Sequence, residues 1–252
     1  MNAERQNYKE ALITSWIHTK ELFKELLWPT RCVLCDLPDT LLCHSCKVAL
    51  PYLDQLKACP ICGSPNGKGI CTECNQFILN WKHLSSFPLD GCASTTILTP
   101  KTRRIITCYK DRGEQRLAKD IAMFMADSIP YSWKTNSVLV PIPTRISAKR
   151  QRGFDHLQNI TNHLSELANL TCINALSVQT KKDQRLLSGQ ERLHNMENSF
   201  VLDPGKVEAL QDFEKIIVVD DVMTTGATLF SAANTLRNAT SAPIYGLTFA
   251  RV

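Results

Sequence analysis

Hydrophobic positions divide the chain into three stretches. Over residues 7–28, Leu12, Ile13, Trp16, Ile17, Phe23, Leu26 and Leu27 share one side at helical spacing, with Lys9, Glu10, Glu21 and Glu25 mostly opposite, and Pro29 ends the run. This predicts an amphipathic N-terminal helix within residues 1–29. A helix lying on a membrane would be richer in Lys and Arg, so packing against the body of the protein or a partner is expected. Residues 30–80 have little apolar content and no period. From about residue 90 onward, short apolar runs alternate with helical spacing. Residues 92–98, 137–140 and 244–250 read as strands. Leu117, Ile121, Phe124 and Met125 mark the inner face of one helix, and Leu157, Ile160, Leu164 and Leu167 that of another over residues 156–168. Ile216-Ile217-Val218-Val219 is a strand buried on both faces, and residues 229–236 form the helix after it. Strands alternating with helices over residues 90–252 predict an α/β fold: a parallel sheet, helices on both faces, and a site at the carboxyl ends of the strands.

The length of 252 residues allows one substantial core with a small appendage. No run of eighteen apolar residues exists, so no spanning helix is expected, and residues 1–29 lack a signal-peptide core. A cytoplasmic protein is expected. Residues 1–90 carry nine Lys/Arg and nine Asp/Glu, so the net charge of +5 lies wholly in residues 91–252. An anionic substrate or nucleic acid would account for part of that surplus.

Cysteine explains the middle stretch. Eight of the eleven cysteines fall in Cys-x-x-Cys pairs: Cys32/Cys35, Cys43/Cys46, Cys59/Cys62 and Cys71/Cys74. Disulfides are rare in the cytosol, whereas each such pair is a knuckle presenting two thiolates to one ion. Two knuckles make a tetrahedral Cys₄ site. Sequential pairing gives one zinc on Cys32, Cys35, Cys43 and Cys46 and another on Cys59, Cys62, Cys71 and Cys74; crossed pairing is geometrically open. With four protein ligands each, both zincs are structural and supply folding energy to a segment with little core. An iron–sulfur cluster is the alternative use of the same thiolates. His44 is expected to be a bystander, and Cys92, Cys108 and Cys172 buried apolar thiols.

Chemistry concentrates after the longest strand. Asp220-Asp221 follow Val219, and Thr224-Thr225-Gly226-Ala227-Thr228 lead into a helix. Glycine lets backbone approach an anion, and amides at a helix start cradle it. Two carboxylates upstream suit the vicinal hydroxyls of a phosphorylated sugar. No Gly-Lys-Ser/Thr is present, which excludes a Walker loop. A second strand, residues 137–140, runs into Pro141-Ile142-Pro143-Thr144-Arg145 and then a loop bearing Lys149, Arg150 and Arg152, cations that can hold a di- or tri-anion. The charged stretch 180–195 reads equally as a mobile flap over bound pyrophosphate or a plain surface loop.

The stretch from Ile216 to Thr228 resembles the motif of type I phosphoribosyltransferases, which bind 5-phosphoribosyl 1-pyrophosphate (PRPP). With the four cysteine pairs, Tyr109-Lys110, Pro141-Ile142-Pro143 leading to Arg152-Gly153-Phe154, and Gln184-Arg185 with Arg192 and Asn195 leading to Phe200, the whole is similar to the ComF-type family from about residue 30 to the end. After the helix that the spacing predicts in residues 1–29, a segment variable or absent in that family, the resemblance implies residues 30–80 as a double zinc module and 90–252 as a phosphoribosyltransferase-like domain. It implies that Asp220 and Asp221 hold the ribose hydroxyls and, through water, Mg²⁺. Thr224, Thr225, Gly226, Ala227 and Thr228 would hold the 5-phosphate, and Thr144 and Arg145, with Lys149 and Arg152, the pyrophosphate. Asp220 and Asp221 are then the best catalytic candidates. Asp155-His156 stand where the family usually has Asn-Gln, so no ligand role is carried over to them. Thr224 stands where some purine-using relatives carry a general base, and it cannot be one at neutral pH.

The resemblance further implies a role in natural competence, the handling of incoming single-stranded DNA. Three functions compete: a Mg²⁺-dependent transferase using PRPP; a non-enzymatic protein that senses PRPP or grips single-stranded DNA; and an adaptor whose zinc module docks a competence helicase. The balanced charge of residues 1–90 argues against that segment gripping DNA.

Overall fold

The computed structural model describes residues 29–65, 69–74, 77, 87–178 and 200–252. The expected N-terminal helix and the stretch 180–195 lie outside them. The chain divides into two compact units, Met1–Ala49 and Leu50–Val252. The first Cys-rich cluster belongs to the smaller unit, and the second belongs to the same unit as the sheet.

In the smaller unit the chain turns at Asp36 and Asp39, both in the left-handed region, and an isolated bridge joins Arg31 to Pro38. The short helix α1, His44–Val48, follows. His44 is exposed on it, outside the thiol cluster.

The larger unit holds five parallel strands. They are β1 (Gly91–Ile97), β2 (Ser137–Pro141), β3 (Thr171–Cys172), β6 (Lys215–Met223) and β7 (Ile244–Arg251), in the order β1-β7-β6-β2-β3. Two further strands, β4 (Leu176–Val178) and β5 (Phe200–Leu202), pair antiparallel as a separate ribbon. The helices are α2 (Pro100–Lys110), α3 (Leu117–Ser128), α4 (Ile146–Arg152), α5 (His156–Ala168), α6 (Val207–Gln211) and α7 (Ala227–Arg237). The α/β expectation is borne out, with a parallel sheet flanked by helices and preceded by two cysteine clusters.

The central strand explains the arrangement. Ile216, Ile217, Val218 and Val219 are fully buried because β6 is covered on both faces. Ile216 and Val218 share a core with Val138, Val140, Leu229, Ala232, Ala233 and Leu236, so α7 packs on that face. Side chains alternate along a strand, which sends Ile217 and Val219 to the other face, where α3 and α5 pack. The edge strand β1 is partly covered: Leu53 N–H donates to Thr95 O, Ile97 N–H to Pro51 O, and Gln55 Nε2 to Ser94 O. A bare edge would invite pairing with another chain.

Two elements differ from the pattern reading. Helix α2 occupies residues that showed no clear helical stripe. Thr99 caps it, accepting from Thr102 N–H at 3.5 Å, and Pro100 supplies the first turn. The basic loop is in fact helical over α4. Its residues are mostly good helix formers, and Gly153, at φ +78°, ends it in the left-handed region.

Candidate functional site

Strand order locates the crevice. From β2 the chain moves outward to β3, and from β6 it moves the opposite way to β7. The neighbours β2 and β6 are therefore the topological switch point, where open parallel sheets place ligands beyond the carboxyl ends of the strands. Asp220 and Asp221 lie at that end of β6, and Pro141 to Thr144 leave β2 beside it.

Both aspartates are buried, at 8% and 7% exposure. Asp220 Oδ1 accepts the Asp221 N–H at 2.8 Å. Burial pushes the Asp220 carboxyl up to about 7, and the charge of Lys110 pulls it the other way. The Lys110 ammonium ion-pairs with Asp221 Oδ2. Burial also drops Lys110 to about 8, Asp220 opposing the drop and Arg152 reinforcing it.

The turn after β6 has Gly226 at φ +82°, and α7 begins directly after it, its N-cap glycine supplying no side-chain hydrogen bond. The left-handed φ favours glycine, and a Cβ there would lie 2.5 Å from Phe230 Cζ and 2.8 Å from Met223 Cε, so those side-chain ends would have to move. Thr224, Thr225, Ala227 and Thr228 are exposed around it, and Thr225 Oγ1 accepts the Ala227 N–H at 3.4 Å. The result is an open helix N-terminus beside two buried acids, a geometry suited to a phosphate next to a diol.

Facing it, Thr144 Oγ1 donates to Asp155 Oδ1 at 2.8 Å, and Asp155 Oδ1 also accepts the Gln158 N–H, capping α5. Lys149 Nζ is 3.8 Å from Asp155. Arg152 Nη1 lies 3.3 Å from His156 Nδ1. Arg145 and Lys149 are exposed.

Two residues missed as site members complete the constellation. His156 Nε2 is 3.8 Å from Asp221 Oδ2, while its Nδ1 is 3.2 Å from Thr144 Oγ1. The Thr144 proton goes to Asp155 and Arg152 can only donate, so Nδ1 is the acceptor and Nε2 carries the hydrogen toward Asp221. Burial, then the charges of Lys110 and Arg152, lower His156 to about 3, leaving it neutral. The sequence held a sign of this. His156 stands four before Ile160 on the inward stripe of α5, a polar side chain where an apolar one is expected. Lys110 is placed by its neighbour Tyr109, a buried ring whose hydroxyl donates to His156 O at 2.6 Å and which packs edge-on to Phe154.

The metal centres are built independently. The sulfurs of Cys32, Cys35, Cys43 and Cys46 gather within 4.8 Å of one another, and so do those of Cys59, Cys62, Cys71 and Cys74. Pairing is therefore sequential. Cys43 N–H points to Cys32 Sγ at 3.5 Å and Cys71 N–H to Cys59 Sγ at 3.4 Å, amide contacts that favour thiolates. Burial raises the Cys59 thiol, but amides of Cys62, Cys71 and Ile61 outweigh it and bring it to about 7. The donor sets fit two tetrahedral zinc ions. Cys92 and Cys108 are buried and Cys172 half-buried.

No family model matches the chain. It is 29% identical over 208 residues to Competence protein ComFC of Bacillus subtilis, spanning 79% of each. It is 29% identical over 106 residues to Competence protein F of Haemophilus influenzae, 41% of this chain and 45% of that one. It is 26% identical over 225 residues to DNA utilization protein YhgH of Salmonella typhi, 82% of this chain and 91% of that one. The chain is thus similar to proteins named for competence and for DNA utilization. Among the described residues, no helix is long and apolar enough to cross a membrane.

Proposed function

We propose that this protein binds PRPP with Mg²⁺ at the β2/β6 crevice and acts in DNA uptake. The names of its relatives, competence and DNA utilization proteins, support the biological role. The observation that carries the chemical part is the pairing of two buried carboxylates with a left-handed glycine turn that opens a helix at the switch point. Asp220 and Asp221 hydrogen-bond the ribose diol. Thr224, Thr225, Gly226, Ala227 and Thr228 take the 5-phosphate through amides and hydroxyls. Thr144, Arg145, Lys149 and Arg152 hold the pyrophosphate, and Mg²⁺ would be held mainly by substrate oxygens, with Asp220 and Asp221 reaching it through water. Neutralising the departing pyrophosphate is then the chief catalytic task. Lys110 leaves Asp221 when the sugar arrives and turns its charge toward the pyrophosphate.

A reading without turnover is favoured by the lack of a base: Thr224, exposed beside the turn, offers none, and His156, lowered to about 3 by burial, is too weak a base at neutral pH. In that case the site senses PRPP or holds phosphates of single-stranded DNA, and the cysteine module docks a helicase.

Thermal unfolding with Mg²⁺ and PRPP tests the binding step. At a hundredfold excess over Kd, PRPP raises stability by about 2.7 kcal/mol. Ribose 5-phosphate gives a smaller rise, and no shift with either refutes the reading. Pyrophosphate release across a panel of nucleobases and amines then separates transferase from sensor.

A further inference from the structure

The second Cys₄ cluster lies in the same compact unit as the sheet, and two side-chain routes lead from it to the phosphate turn. The first runs through Arg251, the last residue of β7. Its guanidinium is buried, at 8% exposure, which is costly for a charge without a counter-ion. Among the described residues no carboxylate is recorded pairing with it. Instead Nη1 donates to the Cys62 carbonyl, Nη2 reaches Cys62 Sγ at 3.3 Å, and Nη1 contacts Met223 Sδ at 2.8 Å. Met223 ends β6, and its Cε lies 2.8 Å from where a Cβ on Gly226 would stand. The second route is apolar. Phe87 packs on the cysteine cluster and meets Phe230 edge-on, with ring centroids 4.8 Å apart. The Phe230 ring edge, Cζ and Cε1, bounds the same position at 2.5 and 2.9 Å. Both walls of the glycine turn thus rest on the second cluster.

The cluster is also wedged into the sheet. Gly63, at φ +69°, leaves a Cβ position only 2.7 Å from the Cys92 carbonyl oxygen, at the start of β1. Four thiolates around Zn²⁺ carry a net double negative charge, which gives the buried Arg251 its counter-ion.

We infer that metal at Cys59, Cys62, Cys71 and Cys74 positions the phosphate turn: Arg251 acts as an outer-shell partner of the cluster and, through Met223 with Phe87–Phe230 in parallel, holds Gly226 in its left-handed conformation. The proposal rests on the phosphate-binding reading only for the ligand, because zinc retention and backbone protection are measured without one.

The experiment uses the full zinc-loaded chain. A colorimetric chelator follows zinc release, and hydrogen exchange follows a peptide spanning residues 223–230. Outer-shell changes weaken metal binding by about 10–100-fold. Arg251→Met is expected to speed one of two release phases by about tenfold, leave the other unchanged, and accelerate exchange in the 223–230 peptide. Arg251→Lys restores part of both. Cys35→Ser removes the first zinc without altering exchange at 223–230. Where Mg²⁺ and PRPP are added to the wild type, linkage requires the equilibrium zinc affinity of the Arg251-sensitive site to rise. Unchanged release phases in Arg251→Met overturn the role of Arg251. Equal exchange at 223–230 in Arg251→Met, Cys35→Ser and wild type overturns the coupling. If PRPP fails to bind the wild type, the functional reading falls while these two results still decide the inference.

Discussion

At the scale of single residues, charge and burial set testable signs. His156 is lowered to about 3 by burial and the cations Lys110 and Arg152. In the unfolded chain it titrates near 6.5, so between those values the unfolded state binds more protons. Its stabilising contribution is present above pH 6.5 and is lost as pH falls toward 3. Asp220 runs the opposite way. Its carboxyl is raised to about 7, so the folded state binds more protons than the unfolded one from about pH 4 to 7, and stability is lost as pH rises through that window. Urea unfolding at pH 4.5, 6 and 7.5 should therefore show His156→Gln losing less stability than wild type on acidification, by up to a few kcal/mol. Asp220→Asn should gain on wild type as pH rises. Parallel profiles for all three proteins would mean that neither group is held as described. Asp155 offers a smaller test. It caps α5 and accepts from Thr144, so Asp155→Ala should cost about 1 kcal/mol in chemical unfolding, whereas Asp155→Asn keeps the cap and most of the stability.

At the scale of elements, the prediction concerns the turn between β6 and α7. Gly226→Ala puts a Cβ at φ +82° between Phe230 and Met223, so it should cost about 1–3 kcal/mol in backbone strain, with packing loss on top. Ligand affinity should fall by more than stability explains, as titration at a temperature well below the melt can measure. Sequence made this element legible because four β-branched residues, two acids and a glycine turn occur without a break from Ile216 to Gly226. Helix α5 was legible through Leu157, Ile160 and Leu164. Helix α2 was not: Lys101, Arg103 and Arg104 crowd its first turns, and its buried face includes Thr102 and Cys108, which no hydrophobic period reveals. Nor was α4, where the cations needed for an anion site look the same on a loop or a helix. The partners of Asp221 were hidden for a different reason. Lys110, on α2, and His156, on α5, are far from it in sequence, and only the sheet order brings their helices to one crevice.

For the whole molecule, the cysteine pairs were the most legible feature, because metal-ligand spacing is local and periodic in sequence. Sequential pairing and the place of the second cluster in the larger unit needed the fold, as did the role of Arg251, which merely closes an apolar strand when read alone. Metal analysis of the purified chain should give about two zincs, and stripping them should lower the melting temperature, since structural zinc contributes folding energy directly. One zinc or none would break the ligand assignment. The central claim reaches across both levels: a sugar diol on buried acids, a phosphate on an open helix start, and a pyrophosphate on the cations opposite. The most direct measurement is calorimetric titration of Mg²⁺ and PRPP into wild type and into the double variant Asp220→Asn, Asp221→Asn. Saturable one-to-one binding by the wild type, abolished in a folded double variant, is the predicted result. Equal binding by both proteins, or none by the wild type, would contradict it.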